Sequence, residues 1–304
     1  MSHCKVCENS NGNLYHQVKE MMFGTGHSFT YMECSNCGTI SLQDPPADLQ
    51  DYYPAAYYSY AGLVPSPFWK NVLKSLRLYL YLHFGFSPPI YGEWIKQGRV
   101  RKNHRIADFG CGSGQLLYEL YAAGFIHLEG YDPYIEKDVK VNQALSIYKK
   151  SIFEIEEGDK FDVVMMHHAF EHMEEPKKII LKAFDLLVPG GLLLIRIPVA
   201  DAAVWKEYGV NWVQLDAPRH FFLHTVKSMN LMADAAGFEM EKIIFDSTAF
   251  QFWGSELYKS GVSLFEGKDL KRFTKGQLQG WEEKAIRLNQ DQLGDQACFY
   301  LRKG

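Results

Sequence analysis

A strand, a glycine-rich turn and a helix follow one another within residues 105–124, and this succession constrains the fold of the 304-residue chain most strongly. Residues 105–109 are mostly apolar and predict a strand. Apolar residues at helical spacing from 116 to 123 predict a helix that ends at Gly124. Because glycine lacks a Cβ, the turn between them can bend sharply, and a ligand can lie against its bare amides. The pattern predicts a nucleotide-binding opening of a parallel α/β domain.

The spacing around this turn indicates which nucleotide is bound. Gly110, Gly112 and Gly114 alternate, but the sixth position, where a dinucleotide fingerprint has glycine, is Gln115. Asp132 ends the next predicted strand about 20 residues beyond the glycines, where a carboxylate can accept protons from both ribose hydroxyls. The spacing therefore disfavours a dinucleotide-dependent dehydrogenase.

The turn closely resembles that of the class I S-adenosylmethionine-dependent methyltransferases. Two later segments, residues 161–176 and 186–191, resemble the family's fourth-strand and fifth-strand blocks in order and spacing, so the resemblance covers about residues 101–245. It implies that S-adenosylmethionine is the cofactor. It also implies that an acid at Asp108 lies near the amino-acid end of the cofactor and that Asp132 receives its ribose hydroxyls.

The resemblance implies further cofactor contacts along the turn, around the adenine and at the methionine portion. The adenine contacts are expected at Tyr131, Ile152 and Phe153, although Ile152 and Phe153 fit plain core packing equally well. His167, at the end of the fourth strand, is expected to face the methionine portion through its backbone. The full set of cofactor candidates is Asp108, Gly110, Cys111, Gly112, Gly114, Tyr131, Asp132, Ile152, Phe153 and His167.

From residue 105 onward, strands and helices alternate with short connections, as a doubly wound sheet requires. Further strands are expected at 127–131, 145–148, 161–166, 192–197, 240–245 and 297–301. The resemblance implies a mostly parallel seven-stranded sheet that closes with an antiparallel last strand. Residues 247–293 interrupt the final hairpin and are expected to be a helical insertion that shapes the acceptor pocket or a subunit contact, which leaves a homodimer open.

Two Cys-x-x-Cys pairs stand at the front of the chain. Cys4 with Cys7 and Cys34 with Cys37 can together bind one tetrahedral zinc ion through four thiolates. A site closed by four sulfurs has no position for substrate, so this zinc is expected to stabilise the fold. The sequence thus predicts a zinc ribbon at 1–45, a helical cap or linker at 46–100 and a cofactor-binding domain at 101–304.

The cap is rich in aromatic residues. Leu73, Leu76, Leu80 and Phe84 recur at helical spacing up to Gly85. Two interpretations remain open: a helical spacer whose aromatic side chains bury themselves, or a lid that excludes water from the reacting sulfonium.

Composition excludes some partners. The net charge of −4 and the absence of a general basic field make a long nucleic acid an unexpected partner. No stretch approaches the roughly 20 apolar residues of a membrane span, and the first residues lack a signal-peptide core. A cytoplasmic protein acting on a small or conjugated metabolite is expected.

Three histidines are candidates for a general base, because an imidazole with a pKa near 6.5 can take a hydroxyl proton at neutral pH. His172 follows the fourth predicted strand, and His220 and His224 follow the fifth, all at the edge where ligands bind. His172 could instead cap a helix or bond Glu171, and His220 with His224 could be a metal pair. Asp216 and Arg219 could hold a polar acceptor, with solvated loop charges as the favoured alternative.

The cysteine pairs and the segment from Pro218 to Thr225 resemble a bacterial subgroup of these methyltransferases associated with sugar, glycan or secondary-metabolite methylation. The expected activity is therefore methyl transfer to a small or conjugated metabolite such as a sugar, with an oxygen acceptor favoured over nitrogen or carbon. The competing function is a binding module in which the zinc ribbon docks RNA or a protein and the nucleotide fold has lost its chemistry.

Overall fold

The computed structural model describes residues 3–53, 62–156 and 158–304. Its strands are β1 (Leu14–Lys19), β2 (Ser28–Glu33), β3 (Ile40–Leu42), β4 (Arg105–Phe109), β5 (His127–Tyr131), β6 (Val139–Lys140), β7 (Leu145–Tyr148), β8 (Phe161–His167), β9 (Leu187–Pro198), β10 (Phe222–Leu223), β11 (Phe238–Phe245) and β12 (Gln296–Lys303). Its α-helices are α1 (Phe68–Phe84), α2 (Gly92–Gln97), α3 (Gln115–Ala122), α4 (Pro176–Leu186), α5 (Ala203–Tyr208), α6 (Val226–Ala236), α7 (Phe250–Lys259), α8 (Leu264–Gly267) and α9 (Lys275–Gln290).

The large sheet has the order β11-β12-β9-β8-β4-β5-β7-β6. Strands β4, β5, β7, β8 and β9 run parallel, whereas β12 is antiparallel to both of its neighbours. The predicted mostly parallel sheet with an antiparallel last strand is therefore confirmed. The short antiparallel strand β6 adds an eighth member at one edge.

Helices cover both faces of this sheet, because alternate strand residues point to opposite sides. On one face, α4 and α6 pack through Ile180 and Met229. On the other face, α1, α2 and α3 pack through Leu78, Ile95 and Leu117. The chain moves from β4 outward to β7 and then returns to β8 on the other side of β4, so the carboxyl ends of β4 and β8 flank the switch point where such sheets bind ligands.

A second sheet, of order β1-β2-β3-β10, joins the cysteine-rich front of the chain to the segment after β9. Its apolar side chains share one core with Trp212 and with the helices of the 247–293 insertion, through Phe252 and Ala285. The insertion is helical, as expected, and consists of α7, α8 and α9. The division of the chain into segments 1–45, 46–100 and 101–304 stays a prediction.

The cap contains the expected helix, but its apolar stripe faces outward. Leu73, Leu76, Leu80 and Phe84 are all exposed, whereas Leu78 and Tyr81 on the opposite side of α1 are buried. Of the aromatic residues in this helix, Tyr81 is buried and Phe84 is exposed, so the interpretation of self-burying aromatic side chains fits only some of them. The part of the predicted cap at 54–61, which includes three of its tyrosines, lies outside the described residues.

Within residues 3–53, 62–156 and 158–304, no helix combines the length and apolarity that crossing a bilayer requires.

Cys298 lies buried in β12, as the surrounding apolar run indicates.

Candidate active site

The glycine turn after β4 requires glycine for both backbone and steric reasons. Gly110, Gly112 and Gly114 have φ values of 77°, 54° and 77°, in the left-handed region that other residues avoid. A Cβ on Gly110 would lie 2.4 Å from the Cβ of Ala169, and one on Gly114 would lie 2.2 Å from the Cδ1 of Ile147. The turn is therefore pressed against the end of β8 and against β7.

Asp132 lies beside this turn at the end of β5. Its Oδ2 accepts a hydrogen bond of 2.9 Å from the amide of Gly112, and its Oδ1 accepts one of 2.9 Å from the amide of Tyr134. These bonds fix a half-buried carboxylate next to the bare backbone of the turn, which is the position expected for a group that receives ribose hydroxyls.

Asp108 is a buried acid at the end of β4. Its Oδ1 has no hydrogen-bond partner among the residues that the structure describes. Burial, together with the negative charge of Asp132, raises the pKa of Asp108 to about 8. A cation placed here would both satisfy the oxygen and restore the carboxylate, so the site fits the ammonium of an amino-acid ligand.

The remaining cofactor candidates differ in how far their side chains are buried. The sulfur of Cys111 packs against Gly130, where an added Cβ would come within 2.7 Å of it. Tyr131 is buried with its ring 5.0 Å from that of Phe109, although its backbone carbonyl bonds the Gly110 amide at 2.8 Å. Ile152 is also buried, whereas Phe153 is half exposed. Of the three adenine candidates, Phe153 alone offers an exposed side chain.

His167 lies at the end of β8, with its ring centroid 4.2 Å from that of Trp94. Neither ring nitrogen bonds any group in the described part of the chain. Burial, reinforced by the charge of Arg196, brings the pKa of His167 well below its ordinary value. The neutral ring thus packs at a tilt against Trp94 of α2, so the structure gives the side chain no bond that a cofactor would replace.

His172 and His220 meet beyond the carboxyl end of β8. His172 ends a short 3₁₀ turn, residues 170–172, that follows Ala169 and therefore adjoins the glycine turn. The two imidazole centroids lie 4.7 Å apart. Ring nitrogens of both histidines and a carboxylate oxygen of Glu171 all lie within 4.8 Å of one another, which also makes the trio a candidate cation site.

Hydrogen bonds to the backbone determine the tautomer of both rings. The Nδ1 of His172 lies 2.8 Å from the carbonyl of Arg219, and the Nδ1 of His220 lies 2.7 Å from the carbonyl of Gln214. A carbonyl can only accept, so each Nδ1 carries a proton, and in a neutral ring the lone pair then lies on Nε2. The Nε2 of His220 lies 3.9 Å from the Oδ2 of Asp216. Burial, with the nearby His172, lowers the pKa of His220 to about 4, so its ring is neutral at pH 7.

Glu171 and His168 are members of this site that sequence reasoning did not propose for chemistry. Glu171 is fully buried, and neither oxygen has a hydrogen-bond partner in the described chain, although Oε1 lies 3.4 Å from the Nδ1 of His168. Burial alone would raise the pKa of Glu171, but His168 and the neighbouring histidines lower it to about 2. His168 has a φ of 49°, a strained conformation for a residue with a side chain.

A signal for both residues exists in the sequence. A carboxylate with histidines at 167, 168 and 172 directly follows a strand of buried apolar residues, at the edge where ligands bind. A buried carboxylate is costly unless a cation or a hydrogen-bond donor lies beside it, and histidines can supply either.

His224 does not join this group. Its segment is extended rather than helical, since β10 precedes it and it pairs with Val199. The ring is fully buried between Phe170 and Phe222, and burial lowers the pKa of His224 to about 3. His220 and His224 therefore do not form the histidine pair that a helix would have produced.

Asp216 and Arg219 are not solvated loop charges, so that favoured interpretation is wrong. Arg219 is buried and donates to Asp216 at 2.6 Å and to Glu20 at 2.9 Å. Tyr31, from the same front sheet as Glu20, donates its hydroxyl to the backbone carbonyl of His220 at 2.9 Å. The cysteine-rich front of the chain therefore holds the segment that carries His220.

The four cysteines of the front module converge as predicted. The sulfurs of Cys4 and Cys37 lie 3.6 Å apart, those of Cys7 and Cys34 lie 3.4 Å apart, and all four lie within 4.8 Å of one another. A tetrahedron of sulfurs at the zinc distance has edges of about 3.8 Å, whereas a disulfide has about 2.05 Å. The donor set fits one tetrahedral zinc ion.

A family model described as a methyltransferase domain matches residues 92–243, half of the chain. Curated relatives include the ubiquinone biosynthesis O-methyltransferases of Azorhizobium caulinodans, 27% identical over 168 residues, and of Maricaulis maris, 32% identical over 159 residues. These matches cover 50% and 48% of the chain and 66% and 58% of the relatives. The chain thus spans less than two thirds of the length of these relatives.

Solved structures of similar fold include S-adenosylmethionine-dependent methyltransferases from Mesorhizobium loti and Archaeoglobus fulgidus. The first is 12% identical with a TM-score of 0.47, covering 70% of this chain and 97% of its own. The second is 15% identical with a TM-score of 0.43, covering 71% of this chain and 100% of its own. By the family match, the chain belongs to the methyltransferase-domain family.

Proposed function

We propose that this enzyme methylates a hydroxyl oxygen of a small or conjugated metabolite such as a sugar, with His220 or His172 as the base. The observation that carries the proposal is the convergence of two histidines beside the glycine turn, each with its Nδ1 bonded to a backbone carbonyl, so that Nε2 is the nitrogen left to take a proton. The curated relatives are named as O-methyltransferases, which supports oxygen over nitrogen or carbon.

The residues for the cofactor follow from the geometry of the turn. Asp132 would accept the ribose hydroxyls, and Asp108 would pair with the ammonium of the methionine portion. Gly110, Gly112 and Gly114 would present bare backbone to the cofactor. S-adenosylmethionine supplies a methyl group already activated by its sulfonium, so the protein mainly positions the acceptor and excludes water. Such positioning can contribute roughly 7–11 kcal/mol of the barrier.

The histidine pair would remove the proton that a hydroxyl acceptor must lose. An Nε2 lone pair takes the proton as the oxygen attacks, and the imidazolium that forms lies next to the buried carboxylate of Glu171. The negative charge of Glu171 stabilises this cation in a site where water cannot do so. General-base help of this kind is worth about 10²–10⁴ in rate. His224 has no exposed atom to meet an acceptor, so the proposal does not use it.

We also propose that Cys4, Cys7, Cys34 and Cys37 hold a structural zinc ion. Their four sulfurs complete a tetrahedron and leave no position for substrate. The metal would stabilise the sheet that carries Tyr31 and Glu20, and through them the segment of His220.

The test uses the full chain with S-adenosylmethionine and a panel of sugar and phenol acceptors, and measures methyl transfer by mass spectrometry. His220→Gln and His172→Gln should each leave cofactor affinity unchanged, and at least one should lower turnover about 10²–10⁴-fold. His127→Gln, an exposed histidine at the start of β5, is the matched control. Wild-type turnover in both variants would exclude a histidine base.

Two further outcomes select other functions. Turnover that is lost with a chelator and restored by a divalent cation would assign Glu171, His172 and His220 to a cation site instead. Cofactor binding without turnover on any acceptor would favour the binding-module alternative.

A further inference from the structure

The outward face of α1 is a large exposed apolar surface that the proposed reaction does not use. Eight of the seventeen residues of α1 are large apolar residues with exposed side chains. They are Phe68, Trp69, Val72, Leu73, Leu76, Tyr79, Leu80 and Phe84. Plotted at 100° per residue, they occupy one continuous arc of about 160°, with His83 as the one polar member within it.

The opposite side of α1 already has its contacts. Leu78 and Tyr81 are buried, and Lys74 pairs with Glu119 of α3 at 2.7 Å. The apolar arc is therefore the solvent-exposed side of α1, opposite the side that packs against the rest of the protein. It continues past the helix end into the following loop, where Phe86 is 69% exposed and Ile90 is 79% exposed.

The charges beside this arc have one sign. Lys70 and Arg77 fall next to each other along one border of the arc, on the helical projection. From Gly62 to Tyr91 the sequence has three basic residues and no Asp or Glu, although the whole chain has a net charge of −4. This segment thus has a charge opposite to that of the enzyme as a whole.

We propose that α1 is an interfacial helix that docks the enzyme on an anionic lipid bilayer. A helix that lies in the plane of a membrane has this composition: Trp, Phe and Leu on one face and bases at its border. Trp69 and Tyr79 have the amphipathic rings that prefer the headgroup level. Lys70 would meet lipid phosphates with an attraction that falls with salt. Arg77 donates to the backbone carbonyls of Ser87 and Pro88 and adds positive charge at the same border.

Charge also argues against a second copy of the chain as the occupant. A symmetric dimer through α1 would bring together two identical segments, neither of which holds a carboxylate to neutralise the cations of the other. A bilayer of anionic lipid supplies that negative charge.

The experiment is co-sedimentation of the full-length enzyme with vesicles of phosphatidylcholine alone or mixed with phosphatidylglycerol. The wild type should bind the mixed vesicles, and more weakly as salt is raised. The double variant Leu73→Gln and Leu76→Gln should bind at least about tenfold more weakly, because two apolar side chains no longer enter the bilayer. Lys70→Gln should weaken binding about fivefold on mixed vesicles and leave binding to phosphatidylcholine alone unchanged.

The matched control is Ile126→Gln, which removes an equally exposed apolar side chain outside α1 and should leave vesicle binding at the wild-type value. Cofactor affinity measured on each variant verifies that it is folded. Equal binding by wild type and double variant would overturn the proposal. So would a wild-type dimer that ignores vesicles and becomes a monomer in the double variant, since α1 would then be an interface between copies.

Discussion

The proposed cofactor end of the sheet edge, with Gly110, Gly112 and Asp132, differs in construction from the proposed acceptor end, with His172 and His220. At the cofactor end, the amide of Gly110 bonds the carbonyl of Tyr131 and the amide of Gly112 bonds Asp132, so both bonds lie within about 25 residues of sequence. At the acceptor end, the partners of Arg219 include Glu20, which is 199 positions away. One site is local in sequence, and the other depends on tertiary structure.

This difference predicts how the two sites respond to damage. The glycine turn joins β4 to α3, and β4 and β5 belong to the large sheet, whereas β1, β2 and β3 belong to the second sheet. The segment of His220 is held by Tyr31, Glu20 and the strand pair of β3 with β10. Loss of the front module should therefore disable the acceptor site while the cofactor site persists.

Cys34→Ser should have the largest effect and tests this separation directly. Removing one of four thiolates should release the proposed zinc and lower the free energy of unfolding by about 3 kcal/mol or more. Metal content by mass spectrometry and thermal unfolding check this result. Turnover should fall, but calorimetry should still detect cofactor binding. Cys298→Ala, a buried cysteine outside the cluster, is the control, and unaltered metal content in Cys34→Ser would remove the zinc site.

Asp132→Ala should affect the proposed cofactor end and leave the proposed acceptor end intact. Loss of a carboxylate that bonds both the turn and the ribose should weaken cofactor binding about tenfold to hundredfold, as for hydrogen bonds to charged groups. The acceptor KM should stay unchanged. Calorimetry with cofactor measures the first quantity, and Glu136→Ala, an exposed acid in the following loop, should bind like wild type. Unchanged affinity in Asp132→Ala would exclude the ribose assignment.

The same contrast explains what the sequence could predict. The turn, the succession of strands and helices and the helical insertion follow from local patterns, because glycine spacing and periodicity report directly on backbone geometry. The parallel sheet with its antiparallel last strand was implied by the family resemblance. The four cysteines were also predictable, since thiolate pairs at this spacing indicate their ligand chemistry.

The acceptor end could not be predicted in this way. Asp216 and Arg219 look like loop charges in sequence, and only the approach of Glu20 from the front sheet makes their burial favourable. The helix α1 shows the same limit: its period predicts an apolar stripe, but not that α3 would contact the other side. The spacing of apolar residues predicts which face of a helix is apolar, but it does not predict which element packs against that helix.

Asp108 supplies a pH test of the cofactor end. Its pKa of about 8 means that the free enzyme holds a proton there at pH 7. A bound ammonium favours the carboxylate, so binding must release that proton, and affinity should rise with pH below 8. From pH 6 to pH 7 the increase should be about ninefold, while the ammonium of the cofactor remains protonated. Calorimetry across this range measures it, and Asp108→Asn should abolish the dependence. A pH-independent affinity in the wild type would contradict the assignment.

Tyr31→Phe is the smallest and sharpest test, because it removes one hydroxyl that links the front module to the segment of His220. Tyr31 is a positioning residue: it is buried, and its bond of 2.9 Å goes to the backbone carbonyl of His220. Losing one such bond costs about 1 kcal/mol, so kcat should fall about fivefold. Tyr258→Phe is the control, because its buried hydroxyl has no hydrogen-bond partner among the described residues. If Tyr31 positions His220, kcat falls and cofactor affinity does not change. If Tyr31 only stabilises the fold, the unfolding temperature drops while kcat stays at the wild-type value, and the proposed link between the front module and the acceptor site is lost.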